Sequence, residues 1–213
     1  MLRRKIETQL EAWRSAPKRT ALLVTGARQI GKTYIIRHFA QQHYDHIAEL
    51  NFIENPDLVA LFDRPRDAKN LLMRLELAVN TPLVPGKTLI FFDEVQEIPE
   101  WGAFLRRVVD TEKATVYVTG SSSKMLSSEL KSEFRGRSLV RELFPLSFSE
   151  YVRYKTGSVL EADATFSPSD AALLRHHLIG YLEQGGFIAT LEQTPADAIQ
   201  LLQEYASRTV AMD

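Results

Sequence analysis

A stretch of eight residues near the start of the chain has the residue types and spacing of a phosphate-binding loop. It reads Gly26-Ala27-Arg28-Gln29-Ile30-Gly31-Lys32-Thr33, the Walker A pattern G-x-x-x-x-G-K-[ST]. Glycine lets the backbone bend and approach a phosphate chain, and the backbone N–H groups of such a loop converge on the anion. Lys32 adds a positive charge that reaches the outer phosphates, and the hydroxyl of Thr33 is a ligand for Mg²⁺.

The elements on either side of this loop are those that the motif requires. An apolar run at residues 21–24 predicts a strand before the loop, and residues 34–40 have the pattern of a helix after it. The positive end of that helix points at the same place as the loop N–H groups. We therefore predict that residues 26–33, together with the following Tyr34, bind the phosphates of a nucleotide.

Two carboxylates follow a second apolar run, at residues 89–92. Consecutive apolar residues are typical of a central strand that is covered on both faces. Ligands of open α/β sheets bind at the carboxyl ends of strands, where Asp93 and Glu94 fall. In this Walker B pattern we expect Asp93 to hold Mg²⁺, directly or through water. We expect Glu94 to orient or deprotonate an attacking water.

Two further polar segments allow more than one role. Hydroxyl residues at 119–123 follow a β-branched strand at 114–118, and they either contact the γ-phosphate or cap a helix. An arginine of the Arg135-Gly136-Arg137 segment either reaches the γ-phosphate, in its own subunit or in a neighbour's, or lies in a surface turn.

The composition narrows the class of protein. The chain has 213 residues, a net charge of −1 and no cysteine, which excludes disulfides and thiolate metal sites and gives no overall sign of nucleic-acid binding. Basic residues between Arg3 and Arg19 either contact DNA or, as we favour, form a solvated helix face. Trp13 is expected in the core rather than on a nucleotide base. No apolar stretch is long enough to span a membrane, so we expect a cytoplasmic protein without membrane contact.

The remaining patterns predict an α/β domain followed by helices. Residues 2–15, 67–79 and 101–109 have helical spacing, whereas the alternation at 48–52 predicts an edge strand and residues 138–143 a fifth strand. Cap residues predict helices that begin at Phe148, Pro168 and Pro195. We expect one domain at residues 1–157 and a helical start of a second at 158–213. The last helix ends without a cap, which indicates a longer natural protein.

From about residue 18 to the end, the motifs resemble the prokaryotic family of predicted AAA+ ATPases that carry a C-terminal domain of unknown function. The resemblance rests on the Walker A loop and on four further segments, Asp93-Glu94-Val95-Gln96, Thr119-Gly120-Ser121-Ser122, Gly136-Arg137 and Leu143-Phe144-Pro145-Leu146-Ser147-Phe148-Ser149-Glu150-Tyr151. It implies a P-loop NTPase fold, in which helices flank a five-stranded parallel sheet of AAA+ strand order. A small helical C-terminal appendage would follow this sheet.

The resemblance also implies functional roles. Lys32 and Thr33 would bind phosphate and magnesium, while Asp93 and Glu94 would serve hydrolysis. Ser121 would stand where AAA+ proteins often carry a sensor asparagine, which makes slow turnover plausible. Arg137 would be the arginine finger.

The sequence thus predicts a magnesium-dependent ATPase whose cofactors are ATP and Mg²⁺. The alternative is a nucleotide-gated switch that binds ATP with little turnover and controls a protein or DNA partner through a C-terminal region absent from this chain. A small-molecule kinase is a weaker alternative, because a water-activating glutamate would waste ATP. A homo-oligomer is expected if Arg137 acts across subunits.

Overall fold

The computed structural model describes residues 3–16, 20–62, 68–95, 98, 101–112, 115–119, 138–159 and 165–212. Among these residues, the α-helices are α1 (Ile6–Arg14), α2 (Lys32–His43), α3 (Ala68–Val79), α4 (Trp101–Glu112), α5 (Phe148–Thr156), α6 (Pro168–Gln184) and α7 (Pro195–Met212). The β-strands are β1 (Ala21–Thr25), β2 (His46–Asn51), β3 (Thr88–Asp93), β4 (Thr115–Thr119) and β5 (Ser138–Glu142). Short 3₁₀ helices span Pro56–Phe62 and Ile188–Thr190.

The chain divides into two compact units. The sheet unit contains Ile6–Gly26 and Lys32–Leu143, and therefore all five strands. The helical unit contains the residues up to Lys5, the loop segment Ala27–Gly31 and the residues from Phe144 onward.

The sheet unit is built on one parallel sheet with the strand order β2-β3-β4-β1-β5. Every residue of β1 and of β3 is buried, as expected for apolar strands in the interior of a parallel sheet. On β2 only the alternate residues Ala48 and Leu50 are buried, because this strand lies at the edge. The carboxyl ends of all five parallel strands therefore lie along the same edge of the sheet.

Aromatic and aliphatic side chains form the core of the sheet unit. The rings of Phe52 and Phe92 stack with centroids 6.2 Å apart, and Phe62 meets Phe52 edge to face at 5.5 Å. Trp13 of α1 is buried, and its indole N–H donates to the carbonyl oxygen of Thr20 at 2.9 Å. The expected core position of Trp13 is therefore correct.

The helical unit has its own small core, which contains Leu146, Tyr151, Val152 and Leu191. The backbone N–H of Ser147 donates to the Glu150 carboxylate at 2.8 Å in a capping box that starts α5. A second such box starts α6 at Pro168. Local cap chemistry thus determines where these helices begin.

The parallel five-stranded α/β sheet expected from the resemblance is confirmed, and so are the helices that begin at Phe148, Pro168 and Pro195. The predicted division of the chain at residue 157 stays a prediction; α5 and α6, on either side of that position, pack together within the helical unit. Within the described ranges, no helix combines the length and apolar character needed to cross a membrane.

Replacement of Gly186 tests the packing of the helical unit. A Cβ at this position would lie 2.4 Å from the carbonyl oxygen of Leu146, whose N–H donates to the Gly186 carbonyl at 2.6 Å. We expect Gly186→Ala to lower the free energy of unfolding by about 2–3 kcal/mol, measured by urea denaturation, because overpacking forces the backbone to move.

Gly86→Ala is the matched control. Gly86 has a φ of +77° but, among the described residues, no neighbour within 4 Å of an added Cβ. The Gly86→Ala variant should lose only about 1 kcal/mol of its free energy of unfolding, because of backbone strain. Equal losses in the two variants would contradict the predicted clash.

Candidate functional site

The loop at residues 26–31 joins β1 to α2, and three of its residues have positive φ angles. Gly26 and Gly31 have φ angles of 140° and 90°, and Gln29 has a φ of 62°. Residues with a Cβ atom rarely adopt the φ angles of Gly26 and Gly31, so glycine is needed at these two positions. Ala27, Arg28 and Gln29 are exposed, whereas Ile30 is buried.

Lys32 is the first residue of α2 and is only 6 % exposed. Its ammonium group donates to the carbonyl oxygen of Gly26 at 3.0 Å. The charge therefore lies across the start of the loop, beside the positive end of α2. A phosphate group that binds there meets both the ammonium and the helix terminus.

Asp93, the last residue of β3, is 2 % exposed. The hydroxyl of Thr33 donates to its Oδ2 atom at 2.8 Å, although the two residues are 60 positions apart. A hydroxyl and a carboxylate are the oxygen ligands that Mg²⁺ prefers in proteins. The structure therefore brings together the two residues that the sequence predicted as metal ligands.

Asn51 contacts the same carboxylate and was not predicted from the sequence. It is the last residue of β2, directly opposite Asp93 in the strand register, and its Nδ2 lies 3.4 Å from Oδ2 of Asp93. Its Oδ1 accepts the backbone N–H groups of Ile53 and Glu54, which orients the amide. The signal for Asn51 was its place at the polar end of a strand next to the Walker B strand.

Glu94 follows β3 directly and is partly buried. Its φ of 57° is unusual for a residue with a side chain and costs about 1–2 kcal/mol. Such strain is often found at functional sites, where the surrounding structure maintains it. The turn takes the backbone out of the sheet at this residue, after the strand end that carries Asp93.

The structure places Tyr34 in the first turn of α2. Tyr34 is half exposed, and its ring stacks on His38 with centroids 6.1 Å apart. Ser121 and Arg137 lie outside the described residues, so their predicted roles stay predictions.

The expectation of a solvated basic face is wrong for Arg4, which is only 6 % exposed. Its guanidinium group donates to the carbonyl oxygens of Ile30 and Phe144 and pairs with Glu150. These partners are distant in the sequence, so the charge pattern around Arg4 gave no sign of them.

The residues present fit a nucleotide with Mg²⁺. The Gly26 and Gly31 backbone provides close approach without Cβ atoms, Lys32 provides charge, and Thr33 with Asp93 provides metal ligands.

Comparison with known proteins gives the family. A family model described as AAA domain matches residues 18–152. An uncharacterized protein of Methanocaldococcus jannaschii is 32 % identical over 166 residues, which are 78 % of this chain and 35 % of the relative. An uncharacterized protein of Haemophilus influenzae is 22 % identical over a stretch that covers 62 % of this chain and 33 % of that relative. The chain thus spans about a third of the length of the curated relatives it matches.

The solved structures to which this chain is similar include PCH-2 of C. elegans and a RuvB variant of Thermotoga maritima. PCH-2 is 12 % identical with a TM-score of 0.46, and the match covers 89 % of this chain and 61 % of the PCH-2 chain. The RuvB variant is 19 % identical with a TM-score of 0.48, and the match covers 93 % of this chain and 59 % of the RuvB chain.

Replacement of the Asp93 carboxylate tests the metal site. We expect Asp93→Asn to bind nucleotide about equally with Mg²⁺ and with EDTA, because the amide cannot supply the charge that attracts the ion. The unaltered chain should bind at least about tenfold more tightly with Mg²⁺. Asn still accepts the Thr33 hydrogen bond, so the fold should be kept.

Fluorescence titration of a labelled ADP, in each of the two buffers, measures this difference. Asp57→Asn, an exposed carboxylate outside the cluster, is the control and should keep the full effect of Mg²⁺. A normal Mg²⁺ effect in Asp93→Asn would show that another group holds the metal.

Proposed function

Because this chain belongs to the family of AAA-domain proteins, we propose that it is a magnesium-dependent ATPase. The observation that carries the proposal is the hydrogen bond of 2.8 Å between Thr33 and Asp93, which joins the Walker A and Walker B motifs. The two residues come from separate segments, and a chance turn between a strand and a helix would not require them to meet. Lys32 directly precedes Thr33, and its ammonium group donates to the carbonyl oxygen of Gly26 at the start of the loop.

Binding would use charge and backbone polarity. The loop N–H groups and the ammonium of Lys32 would hold the phosphates, while Thr33 and Asp93 would hold Mg²⁺. The bound ion supplies positive charge that offsets the charge on the phosphoryl oxygens. Lys32 and the start of α2 add to this charge from fixed positions, so little reorganisation is needed when the charge distribution changes.

Hydrolysis would need a group that handles water. Glu94 directly follows Asp93, the proposed metal ligand, and its backbone has a φ of 57°. In our proposal its carboxylate orients a water molecule and accepts its proton as the water oxygen bonds to the γ-phosphorus. The bond from that phosphorus to the bridging oxygen breaks, and ADP leaves. Phosphoryl transfer depends on positioning and electrostatics, which is why a few fixed groups suffice.

Wider properties of the protein are also proposals. We propose that Arg137 contributes charge to the γ-phosphate, either within the chain or across subunits of a homo-oligomer, and that Ser121 contacts the same phosphate. A protein or DNA partner would act through regions that the longer relatives contain. A cytoplasmic location stays a prediction.

Replacement of Glu94 separates binding from turnover. We expect Glu94→Gln to lower the steady-state rate of ATP hydrolysis by about 10²–10⁴-fold, because the amide cannot accept the proton of water. Its dissociation constant for Mg-ATP should stay within about threefold of the parent, because glutamine has nearly the same shape. Phosphate release and calorimetric titration measure the two quantities.

Glu183→Gln, on an exposed position of α6, is the matched control and should hydrolyse ATP at the parental rate. Parental turnover in Glu94→Gln would remove this residue from the mechanism. Tight ATP binding by the unaltered chain without any hydrolysis would contradict the ATPase proposal and favour a switch.

A further inference from the structure

Arg4 makes three separate contacts from a buried position in the helical unit. Its Nε donates to Oε1 of Glu150 at 3.1 Å, and its two terminal nitrogens donate to the carbonyl oxygens of Ile30 at 3.2 Å and Phe144 at 2.6 Å. Ile30 belongs to the loop between β1 and α2, Phe144 precedes α5, and Glu150 lies in the first turn of α5. A single side chain thus links the loop to a helix start more than 100 residues later.

Glu150 fixes the guanidinium in this position. Its Oε1 also accepts the backbone N–H of Lys5 at 2.7 Å, and its Oε2 accepts the N–H of Ser147 at 2.8 Å. Burial raises the pKa of Glu150, but these two N–H groups and the charge of Arg4 outweigh burial, so the pKa lies below its ordinary value. The carboxylate is therefore charged at neutral pH, and the pair keeps a defined geometry.

The contact to Ile30 has a consequence for the loop because peptide units are planar. The C=O of Ile30 and the N–H of Gly31 belong to the same trans peptide unit and point in opposite directions. A donor that holds the carbonyl on one side therefore directs the Gly31 N–H to the other side. This N–H belongs to the loop glycine before Lys32, one of the groups that bind phosphate in a loop of this pattern.

Gly31 is also confined by packing within the helical unit. A Cβ on Gly31 would lie 3.2 Å from Cδ1 of Ile188, which belongs to a 3₁₀ helix of that unit. The same Ile188 packs against the core that contains Tyr151 and Leu191. Ile188 thus leaves little space for a side chain at position 31, and Ile30 accepts a charged hydrogen bond.

We propose that Arg4, held by Glu150, is a positioning residue for nucleotide binding, which orients the Ile30–Gly31 peptide so that the Gly31 N–H faces the bound phosphates. This inference rests on the proposed nucleotide-binding function. Arg4 contacts the loop at the carbonyl oxygen of Ile30. Its effect on affinity passes through the backbone of the loop.

The test compares Arg4→Lys with Arg3→Lys, the same change at the exposed neighbouring arginine. Lysine keeps the charge beside Glu150 but lacks the planar fork that reaches several acceptors at once. We expect Arg4→Lys to raise the dissociation constant for Mg-ADP about tenfold, measured by calorimetric titration well below the melting temperature. Arg3→Lys should bind like the parent.

A double variant separates positioning from stability. Arg4→Met with Glu150→Gln removes both buried charges together, a change that often costs little stability. Glutamine keeps one oxygen for the N–H of Ser147, as in a capping box with glutamine, whereas the N–H of Lys5 loses its acceptor. We expect this variant to melt within about 5 °C of the parent and still to bind Mg-ADP about tenfold more weakly, because Ile30 has lost its donor.

The outcomes distinguish this inference from the proposed function. If the unaltered chain does not bind Mg-ADP, the proposed function fails and this inference fails with it. If the unaltered chain binds, but both Arg4 variants bind within twofold of it, Arg4 has only a structural role and this inference alone is overturned. If Arg4→Lys does not fold, the double variant decides in the same way.

Discussion

The organisation of the candidate site depends on one constraint, that a buried carboxylate must be paired. Asp93 ends a strand in which every residue is buried, and it is itself 2 % exposed. A carboxylate in such a place is costly unless hydrogen bonds or a cation satisfy it. Thr33 and Asn51 donate to it, which ties the first turn of α2 and the end of β2 to the end of β3. The start of α2 is thereby fixed relative to the sheet edge where ligands bind.

The sequence allowed the local part of the structure to be predicted well. The Walker A pattern, the apolar strands and the cap residues each act over fewer than about ten residues, so the loop, β3 and the start of α5 could be located from short patterns. The contact between Thr33 and Asp93 agrees with the prediction that both residues are ligands of Mg²⁺. These features depend on backbone geometry that any chain with the same pattern adopts.

Other features of the site depend on contacts that no local pattern contains. Arg4 and Glu150 are 146 positions apart, and the charges around Arg4 resemble an ordinary solvated helix face. Asn51 could be recognised only once the register placed it opposite Asp93. Arg4 contacts the Walker A loop and Asn51 contacts the Walker B carboxylate, but neither residue belongs to these motifs. A search for the motifs therefore does not find them.

The most direct test of the central claim, that the loop after β1 binds nucleotide phosphates, is calorimetric titration of Mg-ADP into Lys32→Ala. The control is Lys87→Ala, which removes an exposed lysine that is paired only at the surface with Asp45. We predict that Lys32→Ala weakens binding about a hundredfold, because charge-assisted contacts to phosphate are lost. Lys87→Ala should bind like the parent. Equal affinity in Lys32→Ala and the parent, with both proteins folded, would contradict the account.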